Sequence, residues 1–315
     1  DLNIAAWDSY PLGFLQNMQT IARGDKKLLE DCYNIGDPDF QSYHHDLYRG
    51  MGRLWIMEQQ PGPVNWARYN PIPIAGAVRM WTWEAFAHDA EVVSYFRWRQ
   101  APFAQEQMHA GLMYRDNTPA IGSHEAMQVS NEIQMLNLPE TQKSEIALLH
   151  DYEACWITEL DGQTEDFHYT RLMIDFYKSV RVNGGSLDIV GKKADFTGYK
   201  LIIVPSFVHL ETDTFKKMVS SGAKILAGPR TGIKNRNFQI PENLSLEGLG
   251  YKVKRVDALP YELPVEVEWK GQKGKLHVWR EQGDSSGISE GKSEDGFPVI
   301  TSGNQGSYLC GWPDE

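Results

Sequence analysis

The feature of this sequence that most restricts its fold is a short apolar run that ends in polar residues. It occurs three times in the first hundred positions, at residues 2–7, 54–57 and 92–96. Each run has the length of a buried strand, and the second leads into Glu58 and a turn rich in glutamine and proline. With a helix predicted over residues 78–90, this order predicts parallel strands whose carboxyl ends share one polar edge. Such an arrangement is typical of a (β/α)8 TIM barrel, in which the loops after the strands form the active site.

Three strands are fewer than a barrel needs, because a complete barrel has eight strands in roughly 250 residues. The barrel-like sequence covers residues 1–118, which is about half of that length. Two alternatives stay open: the sequence carries only the C-terminal part of a barrel, or the barrel is the wrong fold. Position 1 is not a methionine, which favours the first alternative with further sequence upstream.

A second domain is predicted after a connecting helix over residues 119–139. Ser123 is a suitable N-cap for this helix, and Pro139 is its stop. Beyond it, strands are predicted at residues 146–150, 187–190, 201–204 and 224–227, and helices at residues 169–182 and 212–221. This alternation predicts a flavodoxin-like domain, an open parallel α/β sheet flanked by helices, across residues 140–315.

The last part of the sequence carries a different pattern. From Tyr251 onward there are short alternating segments such as residues 265–269. Residues 281–296 are polar and rich in glycine and serine, so we predict a loop there, and no final element is predicted in residues 311–315.

Composition excludes several classes of protein. The net charge is −11, and without a basic stripe such a chain repels nucleic acid. No apolar run approaches the roughly 20 residues that span a bilayer, so we expect no membrane partner. The three cysteines have no metal-type pairing, which predicts reduced thiols in a cytoplasmic protein. Neither a metal nor a cofactor is predicted.

Tryptophan is concentrated near the start of the chain, with six of the ten tryptophans in the first 98 residues. Flat apolar rings stack on the C–H faces of sugars, so this region suits a carbohydrate site. An ordinary aromatic core is the alternative explanation.

Glu58 is the strongest candidate for a catalytic residue. It directly follows the apolar run at 54–57, so a rigid strand end would hold its carboxylate at the edge of the sheet. The alternative is a glutamate that caps a turn or forms an exposed ion pair with Arg53.

Glu106 and His109 form a second candidate pair. They are three residues apart, so on a helical turn they would share one face and could bracket the hydroxyls of a sugar. An ordinary solvated helix face is the alternative.

Two further motifs carry weaker signals. His44, His45 and Asp46 invite a metal hypothesis, but adjacent histidines on a helix point about 100° apart and seldom bind one ion. Residues 228–232 resemble a phosphate-binding turn only loosely, and a plain loop is favoured because no Lys-Ser/Thr element follows.

Four sequence blocks together resemble the β-galactosidases of glycoside hydrolase family 42. They read WDSYPL at residues 7–12, MEQQPGPVNW at 57–66, YFRWRQ at 95–100 and EQMH at 106–109. Their order and spacing agree with the family over residues 1 to about 112. The resemblance continues more weakly at residues 228–232 and 237–241.

The resemblance implies a role for each candidate residue. Glu58 would be the nucleophile on the seventh strand of the barrel, with Tyr10 close to it. Trp66 would pack near the galactose, and Glu106 and His109 would bind sugar hydroxyls. The second domain would match the trimerisation domain of the family, which makes a homotrimer the expected assembly.

The expected reaction is hydrolysis of terminal β-D-galactosides such as lactose, through a galactosyl-enzyme on Glu58 with retention of configuration. In the family, the acid/base is a Glu after an Asn on the fourth strand, upstream of everything present here. Asn131 and Glu132 are the only such pair, and their place in the middle of a predicted helix makes the match a coincidence. A structural zinc site seen in some members would also lie upstream.

Two rival interpretations remain. One is a different retaining barrel glycosidase, acting on a plant or algal galactoside. The other is a non-catalytic sugar-binding or assembly module, which follows if the 315 residues are complete.

Overall fold

The computed structural model describes residues 3–17, 26–138, 141–241 and 247–314. The chain divides into two compact units, residues 1–142 and residues 143–315. The start predicted for the first strand at residue 2 and the helix stop predicted at Pro139 lie outside the described residues.

The described part of the first unit consists of three strands and five helices. The strands are β1 (Ile4–Ser9), β2 (Arg53–Gln59) and β3 (Ala90–Tyr95), and the helices are α1 (Pro11–Asn17), α2 (Lys26–Cys32), α3 (Pro38–Arg49), α4 (Ala77–Ala87) and α5 (Ile121–Met135). The strands form one sheet in the order β1-β2-β3, and both pairs are parallel. The predicted run of parallel strands with a helix between them is confirmed.

Local sequence explains why β2 forms and how it is held. Leu54 and Ile56 are buried while Met57 is exposed, which is the alternation of a strand with one face in the core. Helix α3, which precedes β2, begins after a strong N-cap residue. The Asp37 side chain accepts hydrogen bonds from the backbone N–H groups of Asp39 and Phe40. This capping satisfies donors that a helix start leaves free.

Helices α4 and α5 differ from the predicted ranges at their ends. The helix predicted to reach residue 90 ends at Ala87, because Asp89 adopts φ 72° and β3 starts at Ala90. The N-cap of α5 is Ala120 rather than Ser123. Ser123 therefore lies in the first turn of the helix, and the helix ends at Met135, where Leu136 turns extended.

The amino end of α4 is capped by a residue from α5. Gly76, the N-cap of α4, has no side chain to offer. Instead, the Glu125 carboxylate accepts the backbone N–H of Gly76 at 2.7 Å and that of Arg79 at 3.0 Å. A carboxylate at this end also interacts favourably with the helix dipole, so Glu125 fixes α4 against α5.

The second unit begins with alternating strands and helices and continues with strands. Its elements are β4 (Ile146–Leu149), α6 (Tyr152–Leu160), α7 (Tyr169–Val182), β5 (Asp188–Val190), β6 (Leu201–Val204), α8 (Thr212–Ser220), β7 (Lys224–Ala227), a 3-10 turn (Glu247–Leu249), β8 (Tyr251–Ala258), β9 (Val265–Trp269), β10 (Gln272–Ser285), β11 (Ile288–Ser293), β12 (Pro298–Ser302), β13 (Ser307–Leu309) and β14 (Gly311–Pro313).

The parallel part of this sheet has the strand order β5-β4-β6-β7, so the predicted parallel α/β domain is confirmed. The sheet does not end there, however. Strand β13 pairs in parallel with β7, and the sheet continues through β12, β11, β9, β10 and β14, which pair antiparallel. Strand β8 pairs with β10. The second unit therefore combines a flavodoxin-like half with an antiparallel half.

Two predictions for the last part of the chain are wrong. Residues 281–296 are not a loop, since most of them belong to β10 and β11. The polarity of these residues suggested an exposed loop, but Glu281 and Gln282 are buried and hydrogen-bonded within the sheet. Residues 311–313 form the final strand β14 on β10.

Each unit has its own apolar core. In the first unit, Leu12 packs with Val78 and Trp81 of α4. In the second unit, the parallel strands contribute Leu149, Ile202, Val204 and Ile225 to one cluster with Tyr251 and Tyr308. Across the described ranges, no helix is both long and apolar enough to cross a membrane.

Candidate active site

Glu58 lies at the carboxyl end of β2, and its side chain is half-buried. Its alternative partner, Arg53, is engaged elsewhere: the guanidinium binds Glu91 at 2.6 Å. The predicted alternative of an Arg53–Glu58 ion pair is therefore wrong. In the described part of the chain no basic residue forms an ion pair with Glu58.

Tyr10 is the direct partner of Glu58. It follows β1 and is buried, and its hydroxyl donates to Oε2 of Glu58 at 2.5 Å. Burial, together with the hydrogen bond and the charge of Glu58, raises the pKa of Tyr10 well above its ordinary value. Tyr10 therefore stays protonated and acts as a fixed hydrogen-bond donor to the carboxylate.

Trp66 forms an aromatic wall beside Tyr10. The two ring centroids are 5.5 Å apart and the rings are nearly perpendicular, at 86°. The Trp66 indole also covers Gly13, where an added Cβ would lie 2.4 Å from the ring. A side chain at position 13 would displace the indole, so glycine there sets the position of Trp66. The indole remains 40% exposed and is accessible to a ligand.

His109 completes this cluster from the loop after β3. Its ring lies 5.7 Å from the Tyr10 ring and 5.1 Å from the Phe96 ring, edge-on to both. It is 1% exposed, and its Nδ1 faces the carbonyl of Ala110 at 3.1 Å. Its Nε2 is buried and has no hydrogen-bond partner among the described residues. A buried imidazole nitrogen without a partner is costly, which is typical of a site that receives a polar ligand.

Glu106 is arranged differently from the helical pair predicted with His109. Residues 101–110 form turns rather than a helix, and Glu106 has φ 56°. Its carboxylate is exposed and accepts from Arg97 at 2.5 Å. The structure brings His109 to Tyr10, whereas Glu106 contacts Arg97 at the rim.

Two residues of this site were missed by the sequence analysis. Asp8 pairs with Glu58 across β1 and β2, directly after a β-bulge, and its pKa is raised by burial and by the charge of Glu58. Gln60 is fully buried, accepts from the backbone N–H of Leu12 at 3.1 Å and donates to the carbonyl of Gly62 at 2.7 Å. The signal for Asp8 was present, because it also stands at a strand end.

Comparison with known proteins connects this geometry to a family. The sequence model of a family described as beta-galactosidase, glycoside hydrolase family 42, matches residues 1–136, and that of a beta-galactosidase trimerisation domain matches residues 144–306. The chain belongs to glycoside hydrolase family 42. The resemblance that the four sequence blocks indicated is thereby confirmed.

Individual relatives agree with this assignment. The beta-galactosidase BgaA of a Thermus species is 44% identical over 99% of this chain and 49% of its own length. The crystal structure of a beta-galactosidase from the psychrophilic Marinomonas ef1 is 42% identical, with a TM-score of 0.93 over 99% of this chain and 50% of that chain. The beta-galactosidase from Halorubrum lacusprofundi is 32% identical. Its structure has a TM-score of 0.90 and matches 98% of this chain and 48% of that chain. The chain spans about half the length of these family 42 relatives.

The other carboxylate that the sequence analysis weighed, Glu132, has a structural role in this family 42 chain. It lies on α5 and binds Arg79 at 2.8 Å and the indole N–H of Trp83 at 2.7 Å. Hydrogen bonds from these donors lower the pKa of Glu132 to about 2. A general acid needs the opposite shift, so Glu132 is unsuited to protonate a leaving group.

The histidines of α3 are also structural. His45 accepts from the Trp7 indole N–H at 3.2 Å, while Asp46 contacts Arg49 and His88, each at 2.7 Å. Burial lowers the pKa of His45 to about 3. These side chains make separate contacts: His45 contacts Trp7 of β1, whereas Asp46 contacts Arg49 and His88.

The loop at residues 228–232 serves the core of the second unit. Arg230 is fully buried, with its guanidinium 4.8 Å from the centroids of both the Phe167 and Trp279 rings. It donates to the carbonyls of Asp161 and Gly162, and its backbone N–H binds the buried carboxylate of Glu281 at 2.8 Å. This is an internal contact network rather than a phosphate cradle.

A second group of charged residues lies at the carboxyl ends of the parallel strands of the second unit. Asp151, Glu153 and His209 have metal-like spacing. However, the Lys192 ammonium lies 2.5 Å from Glu153 and 3.8 Å from Asp151, and His209 Nε2 is 2.9 Å from Glu153. A lysine thus already supplies the positive charge that a metal ion would bring.

Proposed function

We propose that this chain carries the nucleophile of a retaining β-galactosidase. The observation that carries the proposal is the contact between Tyr10 and Glu58, a 2.5 Å hydrogen bond to a carboxylate at a strand end. The proposed substrates are terminal β-D-galactosides such as lactose, and they are supported by membership of a family whose matching models are described as beta-galactosidase and its trimerisation domain.

In the proposed reaction, one carboxylate oxygen of Glu58 attacks the anomeric carbon of galactose. The bond from that carbon to the leaving oxygen breaks, and a second carboxylic acid gives its proton to that oxygen. Water then gives a proton back to the second group and its oxygen bonds to the anomeric carbon, while the bond from that carbon to the Glu58 oxygen breaks. Galactose leaves with retained configuration, and Glu58 returns to its carboxylate form. Tyr10 keeps the Glu58 carboxylate oriented through both steps, since it remains a neutral donor.

The second carboxylic acid is proposed to lie upstream of these 315 residues, as the family resemblance implies. Within the described residues Glu132 is a poor substitute, because Arg79 binds it. Asp8 pairs with Glu58 in adjacent strands, whereas the family resemblance implies a glutamate that follows an asparagine on another strand.

The remaining site residues are assigned to substrate binding. Trp66 presents its exposed ring to the C–H face of galactose, and the unpartnered Nε2 of His109 receives a sugar hydroxyl. Glu106 binds a further hydroxyl from the rim. The second unit is proposed to assemble the protein as a homotrimer, since it matches a domain described as a trimerisation domain.

The test is replacement of the nucleophile in the full-length polypeptide that carries this chain. Glu58→Ala should lose turnover of nitrophenyl β-galactoside. Added azide should restore release of nitrophenol and give α-galactosyl azide, because azide fits the space of the missing carboxylate and attacks from the same side. A variant that keeps its rate, or an azide product of β configuration, would show that the nucleophile lies elsewhere.

A second candidate function is a sugar-binding or assembly module without catalysis. It is favoured by one observation: the described ranges hold no glutamate after an asparagine at a strand end, which is the acid/base that the family resemblance implies, because Glu132 lies in the middle of α5. If the 315-residue polypeptide, shown intact by mass, binds galactose but a matched longer polypeptide shows no turnover, this second function replaces the first.

A further inference from the structure

The hydrogen bond between Tyr10 and Glu58 depends on how the ends of two strands are aligned. Tyr10 directly follows β1, and Glu58 is the last residue but one of β2. The pairing of these strands shifts register between Trp7 and Asp8, and such a bulge locally disrupts the ladder of backbone hydrogen bonds. The ladder alone therefore does not fix the position of the Tyr10 hydroxyl, and contacts from outside the sheet are needed there.

Helix α3 provides two such contacts, one on each side of Asp8. The Trp7 indole N–H donates to Nδ1 of His45, and the Ser9 hydroxyl donates to Oε1 of Gln41, both at 3.2 Å. Trp7 and Ser9 are buried, whereas Asp8 between them is exposed. This is the alternation of a strand with one face against its neighbours, so α3 holds β1 from the face opposite to Asp8.

The spacing of these residues allows a single helix face to hold both ends of the bulged segment. Gln41 and His45 are four residues apart on α3, which is about 6 Å along a helix. Ser9 and Trp7 are two residues apart on β1, which is about 6.6 Å along a strand. Because the two lengths nearly match, α3 reaches both residues at once. The two hydrogen bonds together fix β1 along its own axis.

His45 supplies its half of this clamp at a cost. The Trp7 ring lies edge-on to the His45 ring, with 5.2 Å between the centroids. Burial, which lowers the pKa of His45, keeps the ring neutral. Since Nδ1 accepts the hydrogen bond, the proton of the neutral ring is on Nε2. That Nε2 is buried and has no hydrogen-bond partner among the described residues, which costs free energy that a leucine at this position would avoid.

The alignment of β1 is passed to the candidate site through the backbone. The carbonyl of Ser9 accepts the N–H of Gln60 at 2.9 Å, so the end of β1 is joined to the residue after β2. Tyr10 follows Ser9 directly, and Glu58 is two residues before Gln60. A shift of β1 at Trp7 is therefore carried to this junction, where it changes the distance between the Tyr10 hydroxyl and the Glu58 carboxylate.

We infer that His45 is a positioning residue of the reaction: by holding Trp7 it fixes the carboxyl end of β1, and with it the Tyr10 hydroxyl on Glu58. The inference rests on the proposed function, in which Tyr10 orients the nucleophile. His45 acts through Trp7 rather than by contact with a reacting group. The histidine that the sequence offered as a metal ligand thus serves the site from behind the strand.

The first test compares kcat of three variants of the full-length polypeptide that carries this chain, with nitrophenyl β-galactoside as substrate. His45→Leu removes the acceptor and should lower kcat about ten-fold, with KM changed less than about two-fold, because a loosely held donor weakens stabilisation of the reacting carboxylate. His45→Asn keeps an acceptor oxygen on the same side-chain carbon and should retain kcat within about three-fold.

Leu47→Ala is the matched control, since Leu47 is a buried residue of the same helix. It should lower the unfolding midpoint in urea and leave kcat as it was, because a core truncation costs stability rather than alignment of the site. An unchanged kcat in His45→Leu, or equal losses of kcat in all three variants, would overturn the inference.

A double-mutant cycle tests whether the effect of His45 passes through Tyr10. In a Tyr10→Phe background the hydroxyl is absent, so His45→Leu should lower kcat by less than about two-fold further. The same ten-fold loss in both backgrounds would show that His45 acts by another route, and the inference would be wrong. If His45→Leu does not fold, Trp7→Phe removes the donor of the same hydrogen bond and takes its place in the cycle.

Crystal structures of the variants separate this inference from the proposed function. The distance from Tyr10 Oη to Glu58 Oε2 should exceed about 3.0 Å in His45→Leu, which is the upper limit of an O–H···O hydrogen bond, and should stay below it in His45→Asn and Leu47→Ala. If Glu58→Ala keeps its rate, the proposed function fails. An unchanged Tyr10–Glu58 distance in His45→Leu instead overturns the positioning by His45, whatever the activity.

Discussion

Both units of this protein collect carboxylates at the carboxyl ends of parallel strands, but they treat the charge in opposite ways. In the first unit, Glu58 has a tyrosine as its close partner and forms no ion pair with another described residue. In the second unit, Glu153 is held by Lys192 and by His209. The same strand geometry therefore holds one carboxylate by a neutral hydrogen-bond donor and another by cationic partners.

The contrast shows what distinguishes a functional site at the carboxyl edge of a parallel sheet from a structural group of charges at the same kind of edge. A carboxylate without a cation is costly to fold, and such costs are retained where chemistry requires them. A carboxylate with a lysine beside it contributes to the structure and is a poor nucleophile. The presence of acidic residues at a sheet edge is thus less informative than what surrounds them.

The largest expected effect compares these two glutamates directly. With nitrophenyl β-galactoside as substrate for the full-length polypeptide, Glu58→Ala should lower kcat about 10⁴-fold or more, since it removes the proposed covalent nucleophile. Glu153→Ala should change kcat by less than about three-fold, because an exposed carboxylate in an ion pair contributes little to the stability of the protein. Comparable losses in the two variants would break the contrast between the edges.

The next effect is on stability and belongs to the second unit. Arg230→Met should lower the free energy of unfolding by about 3 kcal/mol or more, because it leaves two carbonyls without donors and the buried Glu281 carboxylate without a nearby cation. Urea unfolding measures this loss. Arg236→Met is the matched control, since its side chain is 87% exposed. A small loss at Arg230 would mean that its charge is not part of the core.

A smaller effect is expected when the partner of Glu58 is removed. Tyr10→Phe should lower kcat about 100-fold, since one positioned donor in an active site has roughly that value. The unfolding midpoint in urea should change little or rise, because the hydroxyl serves the reaction rather than the core. Loss of stability with unchanged kcat would reverse this view of Tyr10.

The smallest effect concerns the pKa of Asp8, which carbon NMR of its carboxyl group reports. The Glu58 charge contributes to the raised pKa of Asp8, so Glu58→Gln should lower it. Asp116, held by Thr118 and far along the chain, is the internal reference. A raised folded pKa means that native Asp8 binds more protons than unfolded Asp8 between the two values, so its contribution to stability falls as pH rises through that window. An unchanged pKa of Asp8 would show that the two carboxylates do not interact.

The strands of both parallel sheets could be predicted from sequence because their signals are local. An apolar run bounded by turn residues specifies β2, and Glu58 follows from it by position alone. Helix α6 was not predicted, although Asp151 caps it by accepting from the N–H of Ala154. The signal was a single N-cap residue before a segment without clear periodicity.

The errors arose where distant contacts decide the structure. Residues 281–285 look like a loop because they are polar, yet Glu281 is buried among Trp279, Tyr308 and Arg230. Glu106 and His109 have helical spacing, but the backbone between β3 and α5 turns with positive φ at Ala104 and Glu106. No local pattern could have indicated that the N–H of Ala110 would bind the carbonyl of Pro63.

The pairing of β7 with β13 has a consequence for how the second unit is made. These neighbours in the sheet are separated in sequence by the whole antiparallel half, from β8 to β12. During synthesis, β4 to β7 leave the ribosome first, and the backbone N–H and C=O groups on one edge of β7 stay unpaired until residues 307–309 appear. Completion of this sheet must therefore wait for the last strands, and until then that edge is open to pairing with another chain.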